Sequence, residues 1–152
     1  MEIKKILEGI QTRLKTEMFD TVGDKVFIMA SKVAVPKSYH FPYIAIIYNS
    51  GIPSGKKDYG ITYHEVDVFV FQSIWNEEFV ITGTTSDEGN NKGLMSLLGD
   101  IETALKDYEL PAITGINFLS QVTNYYGTED WITDGKYSAS TGLRIKYGVE
   151  YW

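Results

Sequence analysis

Cysteine is missing from this chain, histidine occurs only twice (His40 and His64) and proline four times in 152 residues. Without cysteine there is no disulfide framework, no thiolate nucleophile and no cysteine-held zinc or iron–sulfur site, and a reducing cytoplasm is the expected home. Long apolar runs are missing too: nothing approaches the roughly 18 consecutive apolar residues of a membrane span. The first residues, MEIKKILEGIQTRLK, break every apolar stretch with charge, unlike the continuous core of a secretory leader. Positive charge is scarce. With 14 Lys/Arg against 20 Asp/Glu the formal net charge is −6, the wrong sign for sequence-independent attraction to a nucleic-acid backbone.

The chain is of single-domain length and long enough to bury roughly 68–70% of its unfolded surface. Aromatic residues make up 14%, among them 11 Tyr. Flat rings suit a pleated, half-buried surface, so sheet is favoured over an all-helical fold. The negative charge is unevenly divided. Residues 1–60 hold nine Lys/Arg and six Asp/Glu, or +3, whereas residues 61–152 hold five and fourteen, or −9.

Periodicity marks the elements. Ile3, Ile6, Leu7, Ile10 and Leu14 share one helical face over about 3–18. Turn residues 20–24 lead into a short strand, 25–31, and Pro36 and Pro42 bracket a loop. Residues 43–48 are apolar at both parities, as in a strand covered on both sides. NSGIPSGKKDYG, residues 49–60, has the glycine and proline content of an exposed loop, so strands 43–48 and 62–72 read as a hairpin with a long, basic tip. In the second strand Val66, Val68 and Val70 face one way and Glu65, Asp67, Phe69 and Phe71 the other. Residues 73–91 have no dominant period, and Phe79 to Thr82 is compatible with a short strand. Helical spacing returns from Leu94 to Tyr108, predicting a helix over about 91–107 that Pro111 helps to end. Strands are expected over 116–126 and 143–151, the latter alternating Leu143, Ile145, Tyr147, Val149 and Tyr151 with charged residues. The expected fold is one α+β domain over 1–152: a mostly antiparallel sheet of about five strands flanked by an N-terminal and a central amphipathic helix.

Motifs of known chemistry do not complete themselves. GIPSGKK has three residues between its glycines where a phosphate loop needs four, and no Ser or Thr follows its Lys pair. The two histidines lie outside any spacing that directs two imidazoles to one metal. DEGNN, residues 87–91, lacks the alternating acids and terminal Glu of a calcium loop, and suits the capping of a helix start instead. Asp67 is placed to pair with a cation across the sheet. Catalysis would require Asp67, His64 and Asp87 to converge. No catalytic residue, metal ligand or cofactor is therefore assigned.

In its order of parts the chain resembles the siphovirus tail terminator family, small proteins that close the head-proximal end of a phage tail tube. The resemblance is carried by the amphipathic N-terminal helix, PYIAIIYNS, the strand Thr62 to Gln72, GLMSLLGDIETAL and the closing GLRIKYGVEY. Related tail-completion and neck proteins share this arrangement. The resemblance implies a structural protein without catalytic residues. It also implies a six-membered ring that contacts the tail-tube protein on one side and the head–tail connector on the other, assembled in the cytoplasm and carried in the virion tail. Opposite charge in the two sequence halves fits head-to-tail contact, with Lys56, Lys57 and Asp58 on one side and Glu77, Glu78, Asp87 and Glu88 on the other as candidate subunit contacts. A binding module using exposed aromatics is the alternative.

Overall fold

The computed structural model describes residues 2–32, 40–56, 59–74, 76–84, 87–106, 108, 110, 121–133 and 136–151. Among these residues the fold is α+β, with one five-stranded sheet and helices on one of its faces. Helix α1 (Glu2–Glu17) is followed by a single turn, α2 (Phe19–Val22), and then by β1 (Val26–Ile28), β2 (Tyr43–Lys56) and β3 (Tyr59–Gln72). The short α3 (Glu77–Thr82), a 3-10 turn at Gly89–Asn91 and α4 (Leu94–Leu105) lead to β4 (Gln121–Thr133) and β5 (Lys136–Tyr151). The order across the sheet is β1-β2-β3-β5-β4. Among the described residues only β1 and β2 run parallel, and every other neighbouring pair of strands is antiparallel.

Burial follows the periodicity. Ile6, Ile10 and Leu14 on α1 and Leu94, Leu97, Ile101 and Leu105 on α4 are all fully buried, facing Ile44 and Ile46 of β2, Val66, Val68 and Val70 of β3 and Leu143, Ile145 and Tyr147 of β5. The opposite face of the same strands holds a second cluster, Tyr43, Ala45, Phe69 and Phe71, with Phe27, Met29, Phe41, Ile47 and Tyr126 packed around it. The Tyr43 and Phe71 rings stack at 4.6 Å. Residues 43–48 are thus covered on both faces, as their two-sided apolar pattern predicts.

Three expectations change, and the segment without a dominant period takes a definite form. Residues 49–56 and 59–60 are strand, not loop: β2 and β3 pair from Tyr43↔Phe71 to Lys56↔Tyr59, leaving only Lys57 and Asp58, outside the described residues, between them. Composition misleads here because β3 is itself held by β5 as far as Gly60↔Tyr151, so a templated edge outweighs weak intrinsic propensity. Pro53 fits because β2 has no β1 neighbour at that height. Phe79 to Thr82 is helical rather than extended, since the Asn76 side chain accepts the Glu78 and Phe79 amides at 3.0 Å and caps the turn. The strand expected over 116–126 runs on to Thr133 and is described from Gln121; residues 116–120 lie outside the described set. The final strand starts earlier than expected, at Lys136.

An extra residue, Asn49, enters β2 between the pairs Tyr48↔Val66 and Ser50↔Glu65. Beyond this bulge Gly51 stands opposite His64 on the helical side, and the Tyr48 hydroxyl reaches over it to His64 Nδ1 at 3.0 Å. A Cβ at Gly51 would lie 3.1 Å from that nitrogen and closer still to the hydroxyl, so a side chain there would push the Tyr48 hydroxyl off His64.

Candidate functional site

The densest set of charged and hydrogen-bonding side chains lies on the outer face of the sheet, around Asp67. β3 places Asp67 directly opposite Arg144 on β5. Arg144 Nε donates to Asp67 Oδ1 at 2.8 Å and its terminal nitrogen to Oδ2 at 3.3 Å. The Tyr126 hydroxyl from β4 donates to Oδ1 at 2.8 Å and Asn49 Nδ2, from the bulge, to Oδ2 at 3.3 Å. Arg144 also lies 3.5 Å from Glu65. Four strands thus converge on one carboxylate.

Asp67 is buried, while the Arg144 and Glu65 side chains are 27% and 22% exposed. Taking a carboxylate out of water is costly unless its oxygens are filled, and here both accept bonds, one pair being the fork of an arginine. The hydrogen bond to Asp67 pushes the Arg144 guanidinium further above its ordinary pKa, against the opposing effect of burial. Burial and the bond to Asp67 together raise the Tyr126 phenol above its ordinary value near 10. A carboxylate held by a permanent cation and a neutral phenol is a fixed acceptor, which makes this network a clasp between strands rather than a proton-transfer site.

Sequence pattern anticipates that Asp67 finds a cation across the sheet but does not identify it. The signal was present for Arg144: Arg144 and Lys146 share one face of the last strand, as Glu65 and Asp67 share one face of β3, and the registers Glu65↔Lys146 and Asp67↔Arg144 bring these pairs together. Tyr126 and Asn49 reach the site through bulges in β4 and β2, which alternation cannot reveal.

His64 does not join Asp67. It sits on the helical side of β3 beside Tyr48, whereas Asp67 faces outward. Asp87 stands at the start of α4, where Oδ1 accepts the Gly93 amide at 3.0 Å and Oδ2 accepts the Ser96 hydroxyl at 2.8 Å. It holds the start of a helix, as its composition predicts, and is half-buried there. Glu77 and Glu78 are exposed on the first turn of α3, and Glu88 is exposed before the 3-10 turn. Lys56 ends β2, while Lys57 and Asp58 fall outside the described residues. Among the described residues no group of three or more His, Asp or Glu is placed to hold a metal ion, and no helix is long and apolar enough to cross a membrane.

Concave regions among the described residues include the following two. A cavity of about 350 Å³ between α1, α2 and α4 is lined by Arg13, Glu17, Asp20, Lys92 and Asp100, with Arg13 bonded to Glu17 at 2.8 Å and Lys92 to Asp100 at 2.7 Å. A notch of about 130 Å³ between α3 and the β4–β5 hairpin is lined by Glu77, Ile81, Glu129, Asp130 and Tyr137. Burial, followed by the nearby charges of Asp130 and Glu77, raises the Tyr137 phenol above its ordinary value. The chain matches no family model and no curated protein sequence.

Proposed function

We propose that the chain is a structural, self-associating protein of the siphovirus tail terminator or tail-completion type, without catalytic activity. In this reading it forms a six-membered ring that binds the tail-tube protein on one side and the head–tail connector on the other. The observation that carries it is lateral charge polarity. The sheet order β1-β2-β3-β5-β4 leaves strands of residues 1–60 on one flank and, apart from the first two residues of β3, strands of residues 61–152 on the other. The sequence halves of +3 and −9 therefore contribute the strands of opposite flanks, with Lys32 of the first half reaching across to Glu129 on β4 at 2.8 Å. Unlike surfaces on opposite sides give heterologous contacts, which close into rings when the rotation permits.

Light scattering across protein and salt concentration tests this. Association that weakens with salt is expected, because contacts between exposed charges are screened. A strict monomer at every concentration, also in the presence of tail-tube protein, rules the reading out. The polar cavity between α1, α2 and α4 favours a second reading, a small-molecule binding module, since its volume falls at the lower end of ligand sites. A monomer stabilised in a thermal-shift screen by a single ligand class supports that alternative.

A further inference from the structure

Residue register connects the two outer strands in an unexpected way. Ile28 of β1 aligns with Ile46, then Val68, then Leu143, then Tyr125 of β4. One row therefore crosses all five strands and ends at each edge in an exposed apolar side chain, Ile28 at 40% and Tyr125 at 53% exposure. The next row, Phe27, Ala45, Phe69, Gly142 and Tyr126, ends in an aromatic ring at both edges, on the opposite face. Just beyond lies Glu129, aligned through Ser140 and Phe71 with Tyr43. Lys25 immediately precedes β1 and accepts the Ile44 amide, which places it at the same height on the other edge. Both Lys25 and Glu129 have the parity of the outer face.

Resting on the self-association reading, we propose that a second copy of this chain occupies the edge of β4 that no other described strand pairs with, its Phe27–Met29 lying antiparallel to the first copy's Asn124–Tyr126. In this arrangement the ring of Tyr125, whose hydroxyl bonds Glu102 of its own chain, meets Ile28 of the next copy, and Glu129, which bonds Lys32 of its own chain at 2.8 Å, meets Lys25 as a second cation. Bulges at Val122/Asn124 and Tyr126/Glu129 leave a three-residue regular run on β4. The bulges confine pairing to that run, a known way of keeping an edge from accepting arbitrary strands. Burial already lowers the pKa of Lys25, so a carboxylate arriving beside it would find a partly desolvated partner.

A cysteine-free chain makes the test clean. The variant carrying both Ile28→Cys and Tyr125→Cys should give, under mild oxidation, a ladder of covalent multimers on a denaturing gel. Four interstrand spacings separate the two positions within one chain, roughly 19 Å, which forbids an internal bond. A mixture of the two single variants should stop at dimers containing one of each. Lys25→Glu and Glu129→Lys should each weaken association roughly tenfold, and mixing them should restore it. If wild type associates but neither cross-linking nor the charge exchange follows this pattern, the edge assignment is wrong and the ring reading survives. If wild type never associates, both fall.

Discussion

The two faces of β3 carry the same strand in different ways. Toward the helices Val66, Val68 and Val70 sit among aliphatic side chains with no exposure. Toward the outside, Phe71 and Phe69 give way to Asp67 and then Glu65, so the face passes from stacked rings to ion pairs within seven residues. The aliphatic face obtains its stability from exclusion of water and is indifferent to direction. The outer face uses directional bonds that depend on register: one residue of slip would part Asp67 from Arg144 and turn the valines outward. Together they specify the sheet more tightly than either alone.

Substitution separates the two contributions. The largest loss is expected on the helical face: Leu97→Ala or Ile10→Ala should cost about 2–5 kcal/mol in urea unfolding, since each side chain is fully buried and its removal leaves a cavity. A loss below about 1 kcal/mol would show that α1 and α4 do not carry the core. Next comes Arg144→Met, expected to cost about 3 kcal/mol by stranding the Asp67 carboxylate. Adding Asp67→Asn should recover part of that loss, and strictly additive effects in the double-mutant cycle would mean the two residues act independently. The smallest is Tyr126→Phe, about 1 kcal/mol near neutral pH for one hydrogen bond. Its pH dependence is more telling. The folded-state pKa of Tyr126 is raised, so its contribution is complete below about pH 10 and is lost as pH rises through the folded value. The stability gap between wild type and Tyr126→Phe should therefore narrow above pH 10; a gap that stays constant there would place the phenol outside the network.

This contrast also explains what could be read from the chain. The helical face was legible because burial imposes a period: the stripes on α1 and α4 and the valines of β3 all lie where spacing puts them. The mostly antiparallel five-stranded α+β arrangement followed from the same signal. The outer face was half legible. Alternation shows that Asp67 needs a partner, but its bonds come from β2, β4 and β5, and which strands lie side by side is decided by tertiary pairing. Residues 49–56 defeated composition because Gly51 leaves room for the Tyr48–His64 contact and Pro53 is tolerated where β2 has no β1 neighbour, so residues that usually announce a loop here fit a strand. At α3 the β-branched Val80 and Ile81 were outweighed by the cap from Asn76.

The bulge at Asn49 has a consequence for how the β2–β3 arm tolerates changes in length. Between the pairs Tyr43↔Phe71 and Ser50↔Glu65, β2 spends eight residues where β3 spends seven. The arm thus carries one spare link. Losing Asn49 would take away a bond to Asp67 yet leave Gly51 facing His64 and every later pair in step, whereas losing one residue from 65–71 would put the two sides of the arm out of phase.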